Sequence, residues 1–213
     1  MEISLNNIIP DFLEKEKTDN SAVWKKIVAF KEGNKTEIIA PSGRGKTSLI
    51  HFLYGLRKDY SGILLFDNEN VKNITPTDLA DIRAMQLSIV FQDLRLFKDF
   101  SVLQNLEIKR ALAPYHKTSL INEMSEKLGI INKLSQKAGT CSYGEQQRIA
   151  IIRALQQPFN FIILDEPFSH LDEENSKKAL ALIEQEADKR GAGIILADLQ
   201  HNPSFNADST LHL

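Results

Sequence analysis

Nothing restricts the fold of this chain more than the run A-P-S-G-R-G-K-T at residues 40–47. An apolar strand pattern, Glu37 to Ala40, leads into it, and an apolar helical pattern, Leu49, Ile50, Phe52 and Leu53, leads out. Gly43 and Gly45 let the backbone fold back so that consecutive N–H groups point inward, and the helix that follows adds its positive N-terminal end. The result is an anion site. Strand, loop and helix in that order imply α/β architecture with a largely parallel sheet, whose ligands bind at the carboxyl ends of the strands.

The run resembles a P-loop, with Ala40 in place of the usual first glycine. The resemblance implies that Pro41, Ser42, Gly43, Arg44, Gly45, Lys46, Thr47 and Ser48 bind the phosphates of ATP, Lys46 reaching the β- and γ-phosphates and Thr47 helping to hold Mg²⁺. The bland alternative is a glycine-rich surface turn. A second segment, F-I-I-L-D-E-P at 161–167, argues against it. Four apolar residues form a strand buried on both faces and deliver Asp165 to its carboxyl end. There Asp165 can serve the metal, while Glu166 can orient or activate the attacking water as a general base.

The other expected strands are Ile27 to Phe30, Ser88 to Phe91, Ile63 to Phe66 and Ile194 to Ala197, with antiparallel β elements near the N-terminus. Between Asp93 and Thr140 the strand signals stop. Ser101 with Gln104 makes a capping box, and Glu123 to Gly129 closes on a glycine, so residues 93–140 read as a helical insertion within a single domain spanning 1–213. The polar stretch Glu14 to Asn20 reads as a hairpin or surface loop.

Of the 213 residues, 42% are hydrophobic, enough for one substantial core and a small second lobe. The 26 basic and 28 acidic residues nearly cancel, so no global field recruits nucleic acid or anionic lipid, and no nucleic-acid partner is expected. Cys141 alone rules out an internal disulfide framework and fits a reducing compartment. Met1 to Asp11 lacks a signal-peptide pattern, and no apolar run approaches the roughly 20 residues that span a bilayer. A cytoplasmic location is expected, with any channel supplied by another polypeptide.

C-S-Y-G-E-Q-Q-R at 141–148 selects among P-loop proteins. It resembles the signature of ABC ATPases and stands shortly before the Asp165 strand, as in that family. Ser142 and Glu145 also form a capping box, so Ser142, Tyr143, Gly144 and Glu145 present a hydroxyl and free N–H groups at a positive helix end. In the family this site meets the γ-phosphate bound by the other subunit. Phe91-Gln92 resembles the Q-loop, which gives Gln92 a metal-sensing and catalytic role, and Ser169-His170-Leu171-Asp172 resembles the D-loop. Phe12 stands about where the family stacks an aromatic ring on adenine; the alternative is a core ring.

The resemblance covers about Ile3 to Leu213, and residues 87–106 look most like the lipoprotein-release, macrolide-export and cell-division group. A chain ending at Leu213 would lack a C-terminal regulatory domain, as that group does. Further implications are a homodimer or paired ABC subunit, a separate transmembrane permease and a peripheral place on the inner face of the membrane. The family's switch histidine has no clear counterpart: Asp198 or Leu199 aligns with it, and His201 reaches it only if the last strand runs longer. Slow hydrolysis is therefore expected. A nucleotide-gated binding module with little turnover is the alternative reading, and an ATP-driven clamp on DNA or ribosomes is a more distant one.

Overall fold

The computed structural model describes residues 1–14, 18 and 20–213. Among them the order begins β1 (Glu2–Pro10), β2 (Ile27–Lys31), β3 (Lys35–Ile39), α1 (Lys46–Leu53), β4 (Tyr60–Phe66), β5 (Glu69–Asn70), α2 (Pro76–Met85) and β6 (Leu87–Val90). It continues with α3 (Val102–Leu112), α4 (Ser119–Lys127), two 3₁₀ turns, α5 (Tyr143–Leu155), β7 (Phe161–Asp165), α6 (Glu173–Asp188), β8 (Gly193–Asp198) and β9 (Ser209–His212). The expected loop at Glu14 to Asn20 lies largely outside the described residues.

Five strands form a parallel sheet in the order β6-β7-β8-β3-β9, and β2-β1-β4-β5 form a separate antiparallel one. The segments expected at Ile27 and Ile63 thus belong to the antiparallel sheet rather than to the nucleotide-type core. β1 bulges between Asn6 and Ile9. Asn7 takes φ 52 there, and a Cβ on the facing Gly62 would come within 2.4 Å of the Asn7 carbonyl oxygen, so only glycine fits opposite the bulge.

Successive residues of a strand point to opposite faces, and the parallel sheet uses that to build two cores. Ile162 and Leu164 of β7 pack with Ile194 and Leu196 of β8 against helices α3 to α6. Phe161, Ile163, Ile195 and Ala197 join α1, β1, β4 and Trp24 on the other face. Residues 93–140 carry α3 and α4, which pack on α5 and α6; α3 opens on the Ser101–Gln104 capping box, and α4 starts four residues before Glu123 and ends ahead of Gly129 at φ 66. Register then gathers the chemistry. Asp165 lies beside Ala197 and Ile39 beside Asp198, so the P-loop, Asp165, Glu166 and the end of β8 share one edge of the sheet.

Candidate nucleotide site

The loop between β3 and α1 is held from outside. Gly45 caps α1 at φ 91, and a Cβ there would sit 3.1 Å from the buried Trp24 indole. Trp24 Nε1 also donates to the Arg44 carbonyl at 3.1 Å. A cavity of ≈310 Å³ opens on the other side of the loop, lined by Phe12, Leu13, Pro41, Ser42, Gly43, Gly45, Lys46, Thr47, Ser48, Gln92, Glu166 and Leu199. Arg44 is the one expected loop residue that does not line it.

Lys46 joins the loop to β7. Its Nζ lies 2.6 Å from Asp165 Oδ1 and 2.6 Å from Glu166 Oε1, and all three side chains are buried. Burial works against the Lys46 ammonium, yet the hydrogen bonds to Asp165 and Glu166 outweigh it and raise its pKa above the ordinary value. Glu166 adopts φ 47, a strained conformation for a residue with a side chain. Its N–H donates to the Ala197 carbonyl at 2.9 Å, and its carbonyl accepts from Gln147 Nε2 at 3.1 Å. Gln147 also donates to Ser169 Oγ at 3.3 Å and accepts from the His170 N–H at 3.1 Å. Buried in α5, it ties the strained acid to the D-loop-like segment. Gln147 belongs to the Q-Q-R run at 146–148, where no local sequence pattern marks this role.

A second cavity of ≈380 Å³ adjoins the first and is lined by Thr47, His51, Phe91, Gln92, Asp93, Arg95, Tyr143 and Asp165. A hydroxyl, an amide oxygen and a carboxylate from Thr47, Gln92 and Asp165 face one space, a donor set that suits a hard cation such as Mg²⁺. His51 and Arg95 were not expected here. Burial, and then the Arg95 charge, lower the His51 pKa and favour its neutral form. After Gln92 the backbone turns through Leu94 at φ 58 and Arg95 at φ 47. Arg153 of α5 donates to both of their carbonyls, at 2.6 and 2.7 Å.

At the start of α5 the capping box forms as its sequence predicts: Ser142 Oγ accepts from the Glu145 N–H and Glu145 accepts from the Ser142 N–H at 2.7 Å. That bond, with Lys133 beside it, holds the Glu145 carboxyl below its ordinary pKa. Gly144 leaves no room for a side chain, since a Cβ would stand 2.9 Å from the His170 carbonyl oxygen. The Tyr143 ring packs against that of His170, tilted by 35° with centroids 4.2 Å apart, and its hydroxyl donates to the Gln92 carbonyl at 3.3 Å. A tyrosine is long enough to bring the signature segment onto the chain's own Gln92, which a glycine there could not do.

Phe12 lines the P-loop cavity with its ring half exposed and the Arg57 guanidinium 4.6 Å from its centroid. The three candidates after β8 separate. The strand ends at Asp198, and Leu199 is the one that lines the P-loop cavity. Burial raises the Asp198 pKa. His201 follows in the loop, outside that cavity, where its Nδ1 lies 2.7 Å from the fully buried Glu37 carboxylate. The structure does not bring His201 together with Lys46 and Glu166.

The sequence pattern of the ABC transporter family matches residues 27–169. The lipoprotein-releasing system ATP-binding protein LolD of Syntrophotalea carbinolica is 31% identical over 85% of this chain and 81% of its own length. LolD of Buchnera aphidicola subsp. Schizaphis graminum is 34% identical over 83% and 78%. The dimeric structure of MJ0796, a bacterial ABC transporter cassette, superposes with a TM-score of 0.80 at 22% identity, covering 99% of this chain and 94% of that one.

Proposed function

This chain belongs to the ABC transporter family and is one of its ATP-binding ATPases, and we propose that two protomers close around two MgATP to drive a separate membrane permease in lipoprotein release. The reaction is ATP and water to ADP and phosphate. The observation that carries the reading is the bridge from Lys46 to Asp165 and Glu166, with the P-loop cavity beside it.

Each residue has a task in this scheme. The inward N–H groups of the loop and Lys46 take the phosphates, Lys46 exchanging carboxylate for phosphate oxygen. Phe12, backed by Arg57, offers a flat face to adenine. Thr47, Gln92 and Asp165, which line one cavity, would hold Mg²⁺, and the ion would supply positive charge to offset that of the terminal phosphates. Glu166, released by Lys46, orients the attacking water and takes its proton. Ser142 and the N–H groups opening α5 meet the γ-phosphate of the opposite protomer in a two-fold pair. ATP favours the closed pair because it touches both chains, and hydrolysis removes that preference.

Residues 93–140 carry the motion to the permease through a groove near Gln92 that receives a short partner helix. Among the described residues no helix is long and apolar enough to cross a membrane, which suits a peripheral subunit. The work assigned to the complex follows the names of the relatives. A nucleotide-gated module with little turnover is not favoured, because Glu166 stands at the P-loop cavity beside Lys46.

The test is co-isolation from membranes of the tagged chain, with identification of the bound protein and a phosphate-release assay on the complex. A permease of the lipoprotein-releasing kind that stimulates hydrolysis is expected. A chain that hydrolyses ATP but carries down no membrane protein overturns the assignment.

A further inference from the structure

Among the described residues Lys109 is the one lysine that burial drives far from its ordinary state: its pKa falls to about 8, through desolvation first and then the charges of Arg153 and Arg83. Among the described residues none of Lys109, Arg83 and Arg153 forms an ion pair; Arg83 reaches only the Gly55 carbonyl and Arg153 only those of Leu94 and Arg95. Lys109 of α3 and Arg83 of α2 both line a cavity of ≈180 Å³, floored by the buried Tyr54 and Gln157, with no carboxylate among its lining residues. Leu112 forms part of its rim and is 71% exposed.

We propose that this cavity is a receptor for one acidic side chain, an aspartate or glutamate on a cytoplasmic segment of the permease, gripped by Lys109 and Arg83 while Leu112 packs on that segment. The inference rests on the permease reading above and names the chemistry of the contact. Charge complementarity selects the occupant, because half-buried cations without a counter-ion gain most from a carboxylate that shares their low-dielectric site. Size agrees. Ligand sites for drug-sized molecules start near 300 Å³, whereas a single side chain needs much less.

A chain of side-chain contacts also runs from the cavity toward the candidate nucleotide site. Tyr54 on its floor meets Phe91 edge-on at 5.8 Å, and Arg95 lies 3.7 Å over the other partner of that contact, the Phe91 ring. Arg153 holds the carbonyls of Leu94 and Arg95. A carboxylate drawn toward Lys109 and Arg83 therefore acts two contacts away from Gln92.

The experiment uses the permease that co-isolates with the tagged wild-type chain. Lys109→Glu should weaken its binding by about thirtyfold or more, the low end for opposing a buried charge pair, while ATP hydrolysis by the free chain stays at the wild-type rate. Replacing one acidic residue of the permease by lysine should restore binding to Lys109→Glu and not to wild type. If Lys109→Glu does not fold, Lys109→Gln and Arg83→Gln are expected to lose roughly tenfold each. Unchanged binding in all these variants, or failure of every acidic-to-lysine change to restore it, overturns the receptor and leaves the permease assignment standing. Wild type that brings down no permease overturns both. Binding to phosphatidylglycerol vesicles that disappears in Lys109→Glu would make the cavity a headgroup site and overturn the carboxylate proposal.

Discussion

Arg153 holds Arg95 in the left-handed region: its Nη1 donates to the Arg95 carbonyl at 2.7 Å, and Arg95 sits at φ 47. Two such residues in succession are costly, on the order of 1–3 kcal/mol each, and the bonds from α5 keep the turn after Gln92 from relaxing. Arg153→Ala should therefore uncouple rather than inactivate. Basal phosphate release is expected to change little, whereas stimulation by the permease should largely disappear. Equal losses in both assays would mean that the turn serves the reaction itself.

Lys46→Ala should cost fold stability as well as ATP affinity. It leaves Asp165 and Glu166 buried and facing each other with no cation, a situation that costs about 3–5 kcal/mol when a buried pair is broken. Like charges raise carboxylate pKa values, so the deficit in melting temperature should shrink as pH falls toward 5 and grow toward neutrality. A deficit independent of pH would show that the three groups are not coupled. Unchanged binding of a fluorescent ATP analogue by the folded variant would end the P-loop reading.

Acid sensitivity should centre on Glu186 of α6. Burial works against its carboxylate, but His116, Lys189 and Arg190 hold the group well below its usual range. A folded-state pKa below the unfolded one stabilises above the unfolded value, near 4.5, and that contribution fades as pH drops below it. Glu186→Gln should lower the melting temperature at pH 7 and lose less on going from pH 6 to pH 3 than wild type does. Parallel acid profiles for the two proteins would place the acid-sensitive group elsewhere.

The strand-loop-helix context of the P-loop, the buried run 161–165 and both capping boxes were legible in the sequence because each depends on local patterning. β1 was not located, since its bulge at Asn7 breaks the alternation that marks a strand. β9 owes its pairing to β3, nearly the whole chain away. Gln147, His51 and Arg95 gain their places from side chains that meet only in the fold. Which residue after β8 lines the P-loop cavity depends on where the strand stops, and the sequence does not mark that point: Leu199 reaches the cavity, and His201 binds Glu37.

Hydrolysis without the permease should consequently be slow and open to repair. A missing donor to developing phosphate charge costs on the order of 2.7–4 kcal/mol, or a hundredfold or more in rate. Leu199→His places an imidazole on the cavity and should raise the rate of phosphate release by roughly tenfold or more. His201→Ala should leave that rate near wild type and lower thermal stability, because it strips a partner from the buried Glu37. A collapse of rate in His201→Ala alone would show that the loop rearranges to bring His201 to the phosphate.

The most direct test of the two-protomer ATP sandwich is the mass of Glu166→Gln in size-exclusion chromatography with light scattering, with and without MgATP. Blocking water activation while keeping hydrogen bonding at that position should trap the closed pair, so the variant should elute as a dimer with MgATP, as a monomer without it, and as a monomer in both conditions once Ser142→Arg is added. A Glu166→Gln chain that binds MgATP and stays monomeric, alone and with its co-isolated permease, would contradict the account.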